Sequence, residues 1–293
     1  MTKKIVLFIC ALEIIFTLTA AKCSREHVQS VEMMNECVKF HRRKLYPQAI
    51  RDCSKAVSLD PENELAHHAL GMVYIETKDF EQAARQLQKA ISIKDDVATY
   101  HYQLGEVYQW MGQPEQAAKS LLKAVELNDA LYKAFYRLGR VYEEMDDPQK
   151  ALQKYTEALE RNPRFFEAYR ELGSLYADYD FLSHSLQVFD EGIKALEGRG
   201  DDLAVLLHLK GTVLAEKQDY EAAIKEFRAA LEMRPNMEDA MFSLGWSYSY
   251  VNPENAKIWL NKFVQAASQR TRADYLAAAQ GRLSEIELGT PFQ

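Results

Sequence analysis

From about residue 30 onward, apolar side chains recur at steps of three and four, the spacing that lines one stripe of an α-helix. The pattern turns on one dipeptide. Leu70-Gly71 is followed by Tyr74, and the trio returns as Leu104-Gly105 with Tyr108, Leu138-Gly139 with Tyr142, Leu172-Gly173 with Tyr176, and Leu244-Gly245 with Tyr248. Twelve residues beyond Gly71, Gly105, Gly139, Gly173 and Gly211 stands a small residue: Ala83, Ala117, Ala151, Ser185 and Ala223. Four further on comes a bulky one (Leu87, Leu121, Tyr155, Phe189, Phe227), and three beyond that a small one again (Ala90, Ala124, Ala158, Gly192, Ala230). Leu-Gly and Tyr share one face of a first helix, and small, bulky, small share one face of a second. Glycine and alanine let the two backbones approach, while Tyr and the bulky residue fill the seam toward the next hairpin. Such a hairpin leaves apolar surface uncovered until another stacks on it, which is why the unit repeats.

The period is 34 residues from Gly71 to Gly105, Gly139 and Gly173, and again from Gly211 to Gly245, with a gap of 38 between Gly173 and Gly211. Something was inserted once. Asp79, Asp147 before Pro148, and Asp219 supply caps for second helices, and Pro61, Pro163 and Pro235 punctuate repeat ends. In this register the chain divides into a leader (1–21), a short linker (22–29), seven repeats (30–63, 64–97, 98–131, 132–165, 166–203 with an inserted loop, 204–237 and 238–270), a capping helix (271–288) and a tail (289–293). The first repeat has Cys37 in place of its glycine and Cys53 at its bulky position, with Phe40, Ala49, Ala56 and Pro61 keeping the phase. In the last, Ala256, Leu260 and Phe263 each arrive one residue early, and Asn252-Pro253 predicts a tightened turn. Tyr275, Leu276, Ala279, Leu283 and Ile286 form an amphipathic stripe suited to cover the open end of a stack.

These residues resemble the tetratricopeptide repeat, whose Leu-Gly, Tyr, Ala, Phe, Ala and Pro positions have this period, and the resemblance covers nearly all of the chain beyond its leader. It implies an all-α fold: a right-handed superhelical solenoid of stacked antiparallel helix pairs, here with an N-terminal signal helix and a C-terminal capping helix. It also implies a concave groove lined by the first helices. Carried over position by position, the groove residues are Met34, Val38, His68, Met72, Tyr102, Glu106, Tyr136, Arg140, Arg170, Ser174, His208, Thr212, Phe242 and Trp246, a set rich in the aromatics and arginine that dominate interface energetics. Within the family, the carboxylate clamp that holds acidic chaperone tails needs Lys and Asn, then Asn, then Lys with Arg. Lys133 and Arg137 fit the last pair, but His68, Met72 and Gln103 stand where the others belong, so an acidic tail is not the expected ligand. The expected function is a non-catalytic scaffold or adaptor gripping a peptide or helix of a partner protein, with no cofactor. The alternative is a regulatory or substrate-presenting subunit of an enzyme whose catalysis lies on another chain.

Composition adjusts this picture only at the edges. Glycine and proline number 12 and 8, as a helical chain requires. A formal net charge of −7 lacks the basic excess of a phosphate-tracking surface, so nucleic acid is not an expected partner. The apolar run Ile5 to Ala21 behind Lys3 and Lys4 reads as a signal peptide cleaved after Ala21, or as an uncleaved membrane anchor burdened by Glu13. Leu18-Thr19-Ala20-Ala21-Lys22-Cys23 resembles a bacterial lipobox, with Lys22 where that signal wants Gly or Ala, which makes Cys23 a candidate for lipidation and the N-terminus a route to membrane association. Export is expected, to the periplasm or cell envelope if the source is bacterial and to the secretory pathway if it is eukaryotic; tetratricopeptide lipoproteins that assist envelope assembly offer an analogy. In an oxidising compartment Cys37 and Cys53 face each other across one hairpin and suit a disulfide, or else stand as two small buried thiols.

The chain carries no H-E-x-x-H, phosphate-loop, G-x-S-x-G or paired C-x-x-C motif, and no metal or catalytic residues are assigned. His67 and His101 share one repeat position and read as structural, whereas His68 points to the other face, where it can touch a partner. Arg199-Gly200-Asp201 spells an integrin-type tripeptide but reads as a glycine turn, with Asp201 or Asp202 capping the following helix.

Overall fold

A computed structural model describes residues 25–267 and 272–288. Among the described residues there are fifteen helices and no strands, and within each unit consecutive helices pack on one another, the second through seventh and the ninth through fifteenth. The leader, Cys23 and the tail lie outside the described residues. The chain forms two compact units, Met1–Ala151 and Leu152–Gln293, and the division falls within a helix.

Unit 1 contains α1 (25–42), α2 (Tyr46–Leu59), α3 (Glu64–Glu76), α4 (Phe80–Ile93), α5 (Ala98–Trp110), α6 (Pro114–Leu127), α7 (Tyr132–Glu144) and the start of α8 (Pro148–Arg161). Odd-numbered helices are the first, or A, helices of each hairpin, and even-numbered ones the B helices. Residues 25–29, expected as linker, are the first turn of α1. They are held there because the Ser30 hydroxyl donates to the Ala56 carbonyl at 2.8 Å and accepts from the Asn63 amide at 2.9 Å.

The seam of each hairpin is set by size. A methyl group added at Gly105 would stand 2.6 Å from Leu121 Cγ, and one at Gly71 would stand 3.1 Å from Leu87 Cγ. Both leucines are fully buried. In the first hairpin a disulfide joins Cys37 to Cys53, whose Cα atoms are 5.3 Å apart, at the positions that glycine and leucine hold elsewhere. The turn from A to B helix is a Schellman motif: after α3 the Asp79 amide donates to the Tyr74 carbonyl at 2.9 Å and the Lys78 amide to Ile75 at 3.0 Å. Lys78 there has a φ of 61°, and the equivalent Lys44, Asp146, Asp180 and Gln218 are also left-handed, with a glycine only at Gly112. The aspartate that follows then caps the B helix, as Asp79 does by accepting from the Gln82 amide at 3.3 Å and Asp147 from the Lys150 amide at 3.1 Å.

Unit 2 contains the rest of α8 with α9 (Phe166–Asp178), α10 (Leu182–Ala195), α11 (Gly200–Glu216), α12 (Tyr220–Met233), α13 (Glu238–Val251), α14 (Pro253–Ala266) and α15 (Ala273–Leu288). The four extra residues expected as a loop are helix instead. At 17 residues α11 has one more turn than the 13-residue α9, added at its N-terminus. Four residues are close to one 3.6-residue turn, so the insertion leaves Gly211 facing its seam. Asp201 and Asp202 therefore lie inside the first turn and do not cap it. Acids are favoured there by the unpaired amides of the helix start, and Asp202 pairs with Arg199 at 2.5 Å. In the last hairpin a single residue, Asn252, separates α13 from α14 and accepts from the Asn255 amide at 3.1 Å. Helix α15 packs on α13 and α14, closing a cluster of Ala256, Leu260, Phe263, Ala279 and Ile286.

Candidate functional site

The residues assigned to a partner surface occupy the fifth and ninth positions of α3, α5, α7, α9 and α13 and the equivalent repeat positions of α1 and α11, and all but the exposed Thr212 are half-buried. Several of them lean toward the next A helix, His68 toward Gln103, Tyr102 toward Arg137 and His208 toward Ser243. In unit 1, His68 Nε2 donates to Gln103 Oε1 at 2.6 Å, with its ring 4.7 Å from that of Tyr100. Burial pushes the His68 pKa down against the opposing effect of that hydrogen bond. The Tyr102 hydroxyl donates to Glu106 Oε1 at 2.9 Å, and the Arg137 guanidinium meets the same carboxylate at 2.7 Å. Burial, reinforced by the Glu106 charge and opposed by Arg137, pushes the Tyr102 hydroxyl up to about 12.

Arg137 continues this chain of contacts. It lies 6.0 Å from the Trp110 ring centroid and 3.4 Å from Gln109 Oε1, while Gln109 donates to Glu144 at 2.6 Å. The one clamp-like arginine is thus neutralised by the protein's own Glu106, which removes it as a free carboxylate receptor. Lys133 is exposed. Tyr136 and Arg140 follow on the same face, Arg140 at 3.9 Å from Glu143, and Met72 completes the set beside Glu106 and Tyr102 in register.

In unit 2, Arg170 bonds Glu171 at 2.5 Å and lies 5.7 Å from the Phe166 ring, with Ser174 one turn on. His208 repeats the geometry of His68: its Nε2 is 3.2 Å from Ser243 Oγ and its ring 5.6 Å from Phe227. Burial lowers the His208 pKa, opposed by Asp239. Phe242 and Trp246 differ from the rest. Tyr275 of α15 stacks on Phe242 at 4.5 Å and Arg282 of α15 lies 4.3 Å over Trp246, so the chain's own last helix covers the aromatic faces expected for a partner. A capping helix placed against α13 as well as α14 cannot leave that face open.

His67 and His101 are structural in position. His67 Nε2 contacts the Pro61 carbonyl at 3.1 Å and His101 Nε2 the Asp95 carbonyl at 2.9 Å, each bracing the turn before its own A helix. Among the described residues no group of three or more His, Cys, Asp or Glu side chains is placed to hold a metal ion, and no helix is long and apolar enough to cross a membrane. Sequence reasoning weighed Gln103 and Arg137 only as clamp positions and missed Ser243, although a recurrent polar pairing 35 residues apart, one more than the period, marks them as bridges between repeats.

Comparison with known proteins agrees with this architecture. Tetratricopeptide-repeat family patterns match residues 95–164 and 204–237, and a TPR repeat pattern matches 71–112. No curated protein matches the chain in sequence. Among solved structures, the MamA protein is 25% identical, with a TM-score of 0.55 over 58% of this chain and 92% of its own. YrrB, a TPR protein with an unusual peptide-binding site, is 23% identical, with a TM-score of 0.52 over 64% and 95%. The C-terminal part of a TPR repeat-containing protein from Cytophaga hutchinsonii is 12% identical, with a TM-score of 0.70 over 83% and 98%. With a 34-residue period in the sequence, paired helices in the structure and these matches, the chain is a tetratricopeptide-repeat protein.

Proposed function

We propose that the chain is a non-catalytic adaptor that grips a peptide or helix of a partner protein on the A-helix face of its repeats, in an exported setting where it serves complex assembly. The observation that carries this reading is the row of half-buried Tyr102, Tyr136 and Arg140 on one face of unit 1, where Tyr102 is held by Glu106, itself paired with Arg137 of the next repeat, and Arg140 stands beside Glu143. Side chains already held in place lose little freedom on binding, and aromatics and arginine are the types from which interface hot spots are made. The peptide-binding site named for YrrB is a precedent on the same fold. Arg170, Ser174 and His208 are the corresponding candidates in unit 2. The Cys37–Cys53 disulfide supports an oxidising compartment.

Tyr136→Ala combined with Arg140→Ala tests the reading. The double variant keeps its helical circular dichroism and loses the partner recovered with the wild-type chain from the native host, with about 2 kcal/mol or more of binding energy removed. Retention of that partner at full affinity overturns the assignment. Mass spectrometry of the native N-terminus tests export: a mature chain beginning after Ala21 supports cleavage, a lipid mass on Cys23 supports anchoring, and an intact, unmodified soluble Met1 start contradicts both.

A further inference from the structure

We infer that unit 2 carries a second binding site, on the B-helix side, for a basic side chain, arginine or lysine, presented by a partner protein. A cleft of about 400 Å³ opens between α8, α9 and α10, with Tyr169, Tyr176 and His184 along its wall and Glu160 and Glu191 at its rim. Among the described residues that line it there is neither lysine nor arginine. It shares Tyr176 and Glu160 with an adjoining recess along α8, where Glu157 is already paired with Lys154 at 2.9 Å. The recess holds Arg161, which pairs with Glu160 at 3.2 Å and leaves Glu191 to set the charge of the cleft itself. Glu191 accepts a hydrogen bond from Gln187 at 2.9 Å. Its negative field reaches the wall, because the Tyr169 pKa is raised first by burial and then by Glu191.

The aromatic groups form one assembly. His184 stacks on Tyr176 at 5.3 Å, and Phe181 stands edge-on to both, at 6.4 Å from Tyr176 and 6.0 Å from His184. Phe181 is 54% exposed and the neighbouring Tyr179 is 47% exposed, so both rings are open to an incoming side chain. Ring faces and carboxylates both attract a cation, and a guanidinium or ammonium entering between them gains from each as it sheds water. The hollow of unit 1 contrasts with it, since Lys119 and Lys123 line that one together with Glu115 and Glu126. The cleft is also separate from the A-helix face: Tyr169 and Tyr176 lie beside and beyond Arg170 and Ser174 on α9, turned toward the B helices. The inference therefore stands apart from the proposed function and adds a partner chemistry to it.

The test is a titration of a fluorescein-labelled tetra-arginine peptide with the full chain at near-physiological salt, read by anisotropy. The expected result is saturable binding that weakens at least five-fold in Glu160→Gln with Glu191→Gln and in Phe181→Ser, each with unchanged circular dichroism. A tetra-glutamate peptide does not bind. Asp95→Asn with Asp96→Asn removes the same charge from an exposed turn in unit 1 and leaves the affinity unchanged. Absence of saturable binding, full binding by the cleft variants, or an equal loss in the Asp95 and Asp96 variant overturns the inference, the last by showing general attraction to an acidic chain.

Discussion

Single atoms decide much of the seam. Gly105 leaves no room for a methyl group against Leu121 Cγ at 2.6 Å, so Gly105→Ala is expected to cost about 1–3 kcal/mol, as overpacked cores do. Gly71→Ala, facing Leu87 Cγ at 3.1 Å, costs less, and urea denaturation of the two variants checks the order. Ser185 holds the small position of α10 with its hydroxyl fully buried and without a hydrogen-bond partner among the described residues. Ser185→Ala removes that unsatisfied group and is expected to raise stability by about 1 kcal/mol in the same measurement. His68 and His208 set a pH dependence. Burial holds both neutral when folded, whereas in the unfolded chain they take up protons near the ordinary imidazole value. Below that value the unfolded state binds more protons, so their contribution is complete above roughly pH 6.5 and is lost as the pH falls. A His68→Gln with His208→Gln variant shows a flatter loss of melting temperature between about pH 7 and 5 than the wild-type chain. These residues also show where sequence reading stops. The face of His68 follows from helical spacing, but its bond to Gln103 depends on how far one A helix slides along the next, which spacing does not state.

At the scale of helices and hairpins, the disulfide takes over the work that glycine and leucine do elsewhere. Cys37 and Cys53 are 16 residues apart, and closing a loop of that size is worth about 3 kcal/mol in the chain-entropy account. Each hairpin of a stack answers chiefly to its neighbours, so reduction is expected to raise amide hydrogen exchange in α1 and α2 while α5 and α6 keep their protection. Loss of protection throughout unit 1 contradicts that locality. The paired helices were legible because Leu-Gly-Tyr and small-bulky-small name the two contacting faces outright. In the sequence the 38-residue gap reads as a loop because its Arg199-Gly200 resembles a turn. The structure spends it as one more turn of α11, since four residues keep the helical phase. In α15, the stripe of Tyr275, Ala279 and Ile286 announced a cap. That Tyr275 and Arg282 would reach Phe242 and Trp246 was not announced, because a stripe gives the buried face of a helix and not its partner's.

At the scale of the whole molecule, repetition is what makes a surface available for binding. Buried glycine, alanine and leucine positions repeat because every seam has the same shape, while the fifth and ninth positions of the A helices vary freely: His68 and Met72, Tyr102 and Glu106, Tyr136 and Arg140. Variation on a constant frame is how such proteins acquire different partners. The central claim is that this face of unit 1 meets the partner. The most direct measurement is site-specific photo-crosslinking in the native host, with a photoreactive side chain at Tyr102 or Tyr136 and, as the comparison, at the exposed Lys89 of α4. The account predicts one discrete crosslinked protein from Tyr102 and Tyr136 and none of that mass from Lys89; the same product from Lys89 alone, or no product from either tyrosine position, contradicts it.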